Sequence, residues 1–256
     1  AGKPISVTGG VYENNVAEDG SGGVLYAADV ITVTDARFLN NAAAGATSNG
    51  GAIYQITGMG QIVNSLLAGN SAGTYGDGYY RANSGGPVLI LNSTFATPTV
   101  TSGEAIYANN GTLWITNTLV ASYTTGIQRL GGTVTQDYNL FAGVTNQTVG
   151  TVVGGAHSIT STDALFVDPT AGDYHLLDGT PAAGKGTSVG VPVDLDGKTR
   201  ANPPSIGAYE GTPPVANLAL VKTVSPTAAV PYLGTAVYTL TLASTNARGD
   251  TGVVVT

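Results

Sequence analysis

The side chains able to do chemistry in this chain are few and scattered. Its first 141 residues hold the carboxylates Glu13, Glu18, Asp19, Asp29, Asp35, Asp77, Glu104 and Asp137. Cleaving a polysaccharide needs carboxyl groups clustered on one exposed face, with a metal or base to handle the proton, because the sugar transition state is charged. These eight fall at different positions of different segments. Asp35 and Arg37, two apart and so on one side of a strand, are the nearest approach to such a site, and the equivalent places one repeat later hold Asn64 and Leu66. No catalytic residue is assigned.

Asp194-Leu195-Asp196-Gly197 opens like a calcium loop, but an EF-hand also wants a third acidic residue and a Glu at the twelfth position, where Ser205 stands. Asp194 and Asp196 are the calcium candidates; a tight turn with Gly197 at positive φ explains the same letters better. No other cofactor is expected. His157 and His175 lie 18 apart without a nucleophile at triad spacing, so packing or capping is the expected role of each. Asp173 and Glu210 can be written as an acid and base pair, although each also suits a structural role. Asn92, Asn110 and Asn146 begin Asn-x-Ser/Thr triplets, the acceptor pattern for N-glycosylation.

Composition narrows the partners. The formal charge is −7, and the nine Lys and Arg form no cluster, which gives no footprint for nucleic acid or an anionic membrane. Cys is absent, so there is neither a disulfide framework nor thiol chemistry. No apolar run approaches the roughly 18 residues of a membrane span, and no membrane insertion is expected.

What must position these residues is a repeat. Anchored on a large apolar residue, one pattern returns at Tyr12, Phe38, Leu67, Phe95, Val120 and Phe141, with spacings of 26, 29, 28, 25 and 21 by subtraction. Seven positions before the anchor stand Ile5, Ile31, Gly60, Val88, Leu113 and Val134; five before stand Val7, Val33, Ile62, Ile90, Ile115 and Gln136. That is strand alternation. Three before stand Gly9, Asp35, Asn64, Asn92, Asn117 and Tyr138, a polar corner in the middle copies. A second short strand follows a small residue in Gly23-Val24-Leu25-Tyr26, Gly51-Ala52-Ile53-Tyr54, Gly78-Tyr79-Tyr80, Glu104-Ala105-Ile106-Tyr107 and Gly126-Ile127-Gln128. The recurring Tyr26, Tyr54 and Tyr107 suit a stacked aromatic ladder; a sugar-stacking surface is the other use of such rings. Units of 21 to 29 residues built from short strands are turns of a parallel β-helix. Phe166, with Ile159 seven before it, fits a seventh rung.

These repeats, with their Asn-Ser-Thr-Phe and Asn-Thr-Leu-Val turns, resemble the right-handed parallel β-helices of the pectin-lyase-like group. Leu165-Phe166-Val167-Asp168-Pro169, Asp173-Tyr174-His175-Leu176, Asp194-Leu195-Asp196-Gly197 and Ile206-Gly207-Ala208-Tyr209-Glu210 resemble the end of the choice-of-anchor β-helix proteins of bacterial surfaces. The resemblance covers residues 1–211 and implies a secreted or surface-held protein, without implying an enzyme. Beyond it, the alternating residues of 217–256 are similar to part of an immunoglobulin-like surface repeat.

The expected fold is therefore all-β. Residues 1–141 are β-helix coils, 142–211 a last coil and cap, 212–216 a Pro-rich linker, and 217–256 a partial immunoglobulin-like unit. A start directly on a strand suggests an exported, processed chain. The expected function is a non-catalytic extracellular structural subunit that assembles with copies of itself into a bacterial filament or layer with an adhesive role. Its contacts would use Ile5 and Val7 at one end and Leu218, Leu220, Val237, Tyr238, Leu240, Val253, Val254 and Val255 at the other. A glycan or host surface is a further expected partner. The alternatives are a carbohydrate-active β-helix that binds or cleaves polysaccharide, and a fragment of a long surface adhesin.

Overall fold

Alternating Ile, Val and Thr favour extended backbone with one side buried, and the computed structural model builds its first face from such segments. It describes residues 2–212, 218–225, 234–235 and 237–244. The fold is all-β, a parallel β-helix. Ile5–Thr8, Ile31–Thr34, Gly60–Val63, Val88–Leu91, Thr112–Thr116, Thr133–Asp137 and Val152–Gly154 stack in parallel, one per rung. Their register aligns Ile5, Ile31, Gly60, Val88, Leu113 and Val134 in one column and Val7, Val33, Ile62, Ile90, Ile115 and Gln136 in the next, as the alternation requires.

A second face holds the anchors, with Phe38, Leu67, Phe95 and Val120 wholly buried in the coil. The third face carries Leu25, Ile53, Tyr79, Ile106 and Ile127 inward and Tyr26, Tyr54, Tyr80 and Tyr107 on the alternate side. In the fourth and fifth rungs, second and third faces are joined in the single strands Thr94–Ala108 and Leu119–Arg129. The first three rungs instead interpose Val16–Ala17, Ala42–Ala43 and Ser71–Ala72, followed by loops. The cross-section therefore changes at the fourth rung and leaves a ledge.

Between the first two faces the chain turns through the left-handed region. Gly9, Asp35, Asn64, Asn92, Asn117 and Tyr138 all have φ between +46° and +69°. Asn and Asp tolerate this conformation because their short side chains bond locally; here they also bond between rungs. Asn64 Nδ2 donates to Asp35 Oδ1 at 2.7 Å, and Asn117 Nδ2 to Asn92 Oδ1 at 3.3 Å. Asn15, Asn41 and Asn70, each three residues beyond an anchor, form a second amide ladder at 2.9 Å per step.

The seventh rung is made by Val152–Gly154 and Ile159–Ser161, with Thr160 opposite Phe141. This corrects the expected anchor: Phe166 lies in an antiparallel hairpin, Phe166–Asp168 against Asp173–Leu176, because Pro169–Ala171 and Gly172 at φ +82° reverse the chain there. The segment expected as a cap is likewise a lateral flap. Leu165, Phe166, Tyr174, Leu195, Ile206 and Tyr209 pack against Leu66, Ala68, Ala96, Leu119, Ala121 and Leu140, roofing the outer side of the second face. Its apolar outward residues would otherwise face water.

The chain divides into two compact units, 1–213 and 214–256. In the second, Leu218–Ser225 pairs antiparallel with Val237–Ser244 over eight residues; Val253, Val254 and Val255 lie outside the described residues. Among the described residues, no helix is long and apolar enough to cross a membrane.

Candidate functional site

Rung stacking brings two of the scattered carboxylates together. Asp77 and Glu104 each stand two residues before an inward third-face residue, Tyr79 and Ile106, one rung apart, and Asp77 N–H donates to Glu104 O at 2.7 Å. Asp77 Oδ1 accepts from Ala72 N–H at 2.8 Å, and Glu104 Oε2 from Gly76 N–H at 3.3 Å. Burial pushes the Asp77 carboxyl up to about 6, the Ala72 bond opposing and the Glu104 charge adding to the rise. Burial raises Glu104 as well, against its own backbone bonds.

Asp77 lies on the wall of a cleft of about 430 Å³ at the ledge, where the exposed Asn40, Thr74 and Thr99 supply an amide and hydroxyls. An acid that exchanges its proton near pH 6 beside such donors and acceptors is suited to acid–base work on a hydroxylated ligand. The sequence reading missed this pair, although aligning Asp77-Gly78-Tyr79 on Glu104-Ala105-Ile106 reveals it. A larger cleft of about 580 Å³, between Val100, Phe141, Val144, Gln147, Thr160 and Asp163, is lined by a single titratable side chain among the described residues, one too few for an acid and a base.

The other candidates are engaged in holding the flap. Asp35 and Arg37 part company: Asp35 bonds Asn64, whereas Arg37 Nη2 meets Asp196 Oδ1 at 2.6 Å and Arg37 Nε donates to the Tyr209 hydroxyl at 3.2 Å. Asp194 is buried and accepts from the N–H groups of Asp196, Lys198 and Glu210, which is the geometry of a closed turn. Gly197 stands in that turn at φ +80°. Asp196 faces Arg37 and His175, so the two calcium candidates do not converge on a common point, and no group of three His, Asp or Glu among the described residues is arranged to hold a metal.

Asp173 and Glu210 have separate partners: Asp173 meets His175, while Glu210 binds Ser205 and approaches Arg200 at 3.5 Å. His157 bonds Asp137 at 2.9 Å and stacks on Tyr138 with ring centroids 4.2 Å apart. Burial works against it, but the bonds from His157 and from the Tyr138 N–H hold the Asp137 carboxyl below its usual range.

Tyr26, Tyr54, Tyr80 and Tyr107 stack at 5.2 Å between successive rings. Stacking occupies the ring faces that a sugar would need. Burial, then the neighbouring phenols, push Tyr80 up to about 12. Among glycosylation candidates, Asn110 and Asn146 are exposed, whereas Asn92 is 1% exposed within the corner ladder and out of an enzyme's reach in the folded chain.

Of the expected assembly residues, Ile5 and Val7 point into the coil core, and Ile5–Thr8 ends its sheet, so its outer backbone edge is one of those without a partner among the described residues. Leu218, Leu220 and Leu240 lie in the paired strands of the second unit, and Val237 and Tyr238 are 57% and 59% exposed.

With this geometry in hand, comparison with protein-family models, curated proteins and solved structures finds no match to the chain.

Proposed function

We propose that this chain is a non-catalytic extracellular structural protein that assembles with copies of itself at a bacterial surface and serves adhesion. The observation that carries the reading is the second unit: among the described residues, two eight-residue strands pair only with each other and each has one edge without a partner. A lone hairpin is marginally stable in water, and a long free edge invites another strand. Strand addition supplies main-chain bonds without a pocket. In-register apolar and amide ladders support the stiffness of the coil. Removing residues 217–256 is expected to leave monomers by light scattering; fibres of the shortened chain in electron micrographs would overturn the strand-addition mechanism.

A second reading, a carbohydrate-active β-helix, is favoured by the cleft at Asp77. Reducing ends or unsaturated products released from a glycan panel by the chain, and not by Asp77→Asn, would replace the first reading with this one.

A further inference from the structure

Of the two histidines, His175 alone is bonded at both ring nitrogens. Its Nδ1 meets Asp173 Oδ1 at 2.5 Å and its Nε2 meets Asp196 Oδ2 at 2.6 Å. The other oxygen of Asp196 is held by Arg37, which stands on the second rung, and the Tyr209 ring lies 4.3 Å from the imidazole. A neutral imidazole has one N–H and one lone pair. Set between two carboxylates, it would direct that lone pair at a carboxylate oxygen, so the arrangement asks for the imidazolium.

We propose that the flap is braced by a protonation-dependent clamp, in which His175 as imidazolium ties the Asp173–Leu176 strand to the turn bearing Asp196, the turn that Arg37 of the second rung holds. Loss of the proton breaks one of its two bonds and loosens that end of the flap. The groups facing the ring are Asp173 and Asp196, which favour the charged form, and Tyr209; Arg37 sits across Asp196, and Asp168 adds its charge near Asp173. Burial works against the charged ring, but the two carboxylates outweigh it and raise His175 above its ordinary value. A group raised on folding contributes its stabilisation below its unfolded value, about 6.5, and loses it as pH climbs through the folded one.

The remaining fasteners contain no group that titrates near neutrality. Arg200 donates to Asn64, Ala208 N–H to Thr94 and Asn117 Nδ2 to Thr187 O, so these bonds hold the middle of the flap whether or not His175 carries its proton. The clamp acts locally, and what it covers is the apolar strip that includes Leu66 and Ala68, in one cluster with Leu195 and Tyr209.

The test is hydrogen exchange over residues 173–176 and 194–200 of the full chain at pH 5.5 and 8.5, corrected for intrinsic rates, with an NMR titration of both imidazoles. His175 is expected to titrate above an ordinary imidazole. Protection over both segments should be partly lost at the higher pH, as the clamped ring gives up its proton. His175→Gln should remove the pH dependence, while His157→Gln, at the other histidine, and Asp77→Asn should leave it. A His175 titration at or below the ordinary value in the unaltered chain, which does not depend on any variant folding, would overturn the clamp. So would pH-dependent protection that survives in His175→Gln.

Discussion

Arg200 places Nη2 2.7 Å from Oδ1 of Asn64, a corner residue 136 positions earlier in the chain. The same guanidinium donates to the carbonyls of Gly207 and Ala208 and faces Glu210 at 3.5 Å, all in a nearly water-free setting. Removing one partner of a buried charge pair costs roughly 3–5 kcal/mol, because the other is left without compensation. Arg200→Met is expected to lower unfolding stability by about 3 kcal/mol in urea titrations. Arg200→Lys should recover little, since an ammonium cannot reproduce the planar fork.

The corner ladder predicts an unusual ranking at Asn92, which has φ +46° and accepts from Asn117. A Cβ in the left-handed region costs roughly 1–2 kcal/mol, and glycine avoids that cost. Asn92→Gly should therefore be less destabilising than Asn92→Ala, by about 1 kcal/mol in thermal denaturation, although glycine forms no ladder bond.

Asp77 titrates in the folded chain near 6, above the roughly 3.9 of an unfolded Asp, so folding favours its protonated form. Its contribution is complete below pH 4 and is lost as pH rises through 6. A hundredfold difference in proton affinity corresponds to about 3 kcal/mol. Asp77→Asn keeps an acceptor for the Ala72 N–H and should stabilise the chain at pH 7.5 by about 1–3 kcal/mol while changing little at pH 4, which paired denaturation curves would show.

Gly51 stands where a Cβ would lie 2.3 Å from Asp77 O and 2.5 Å from the carbonyl of Ser71, backbone atoms of the next rung. Nothing there can move without parting two coils. Gly51→Ala should cost more than about 2 kcal/mol, at the upper end for overpacked sites, and a melting temperature unchanged by this substitution would contradict the stacking described.

The coil was readable because its determinants recur: Val33, Ile62, Ile90 and Ile115 declare an inward column, and Asn64, Asn92 and Asn117 a turn that few other residues adopt. The flap was not read, because its contacts are made by residues far apart in the chain, as Arg37 and Asp196 are. A trace of it was present. Thr32 and Thr34 alternate with apolar residues on the first face, whereas Leu66-Leu67-Ala68 and Leu119-Val120-Ala121 are apolar without a break, as strands buried on both sides are. The Asp77 and Glu104 pair escaped notice because 27 residues of sequence conceal a separation of one rung.

The flap touches the coil at Arg37, Asn64, Thr94 and Asn117, which belong to rungs two, three, four and five. Successive attachment points are thus spaced by the strand separation of about 4.8 Å, and the flap works as a ruler laid against the stack. Duplicating or losing a turn inside this span would put every later attachment one notch out of step. A change of length by whole turns is therefore expected to be tolerated only in rungs outside the ruler.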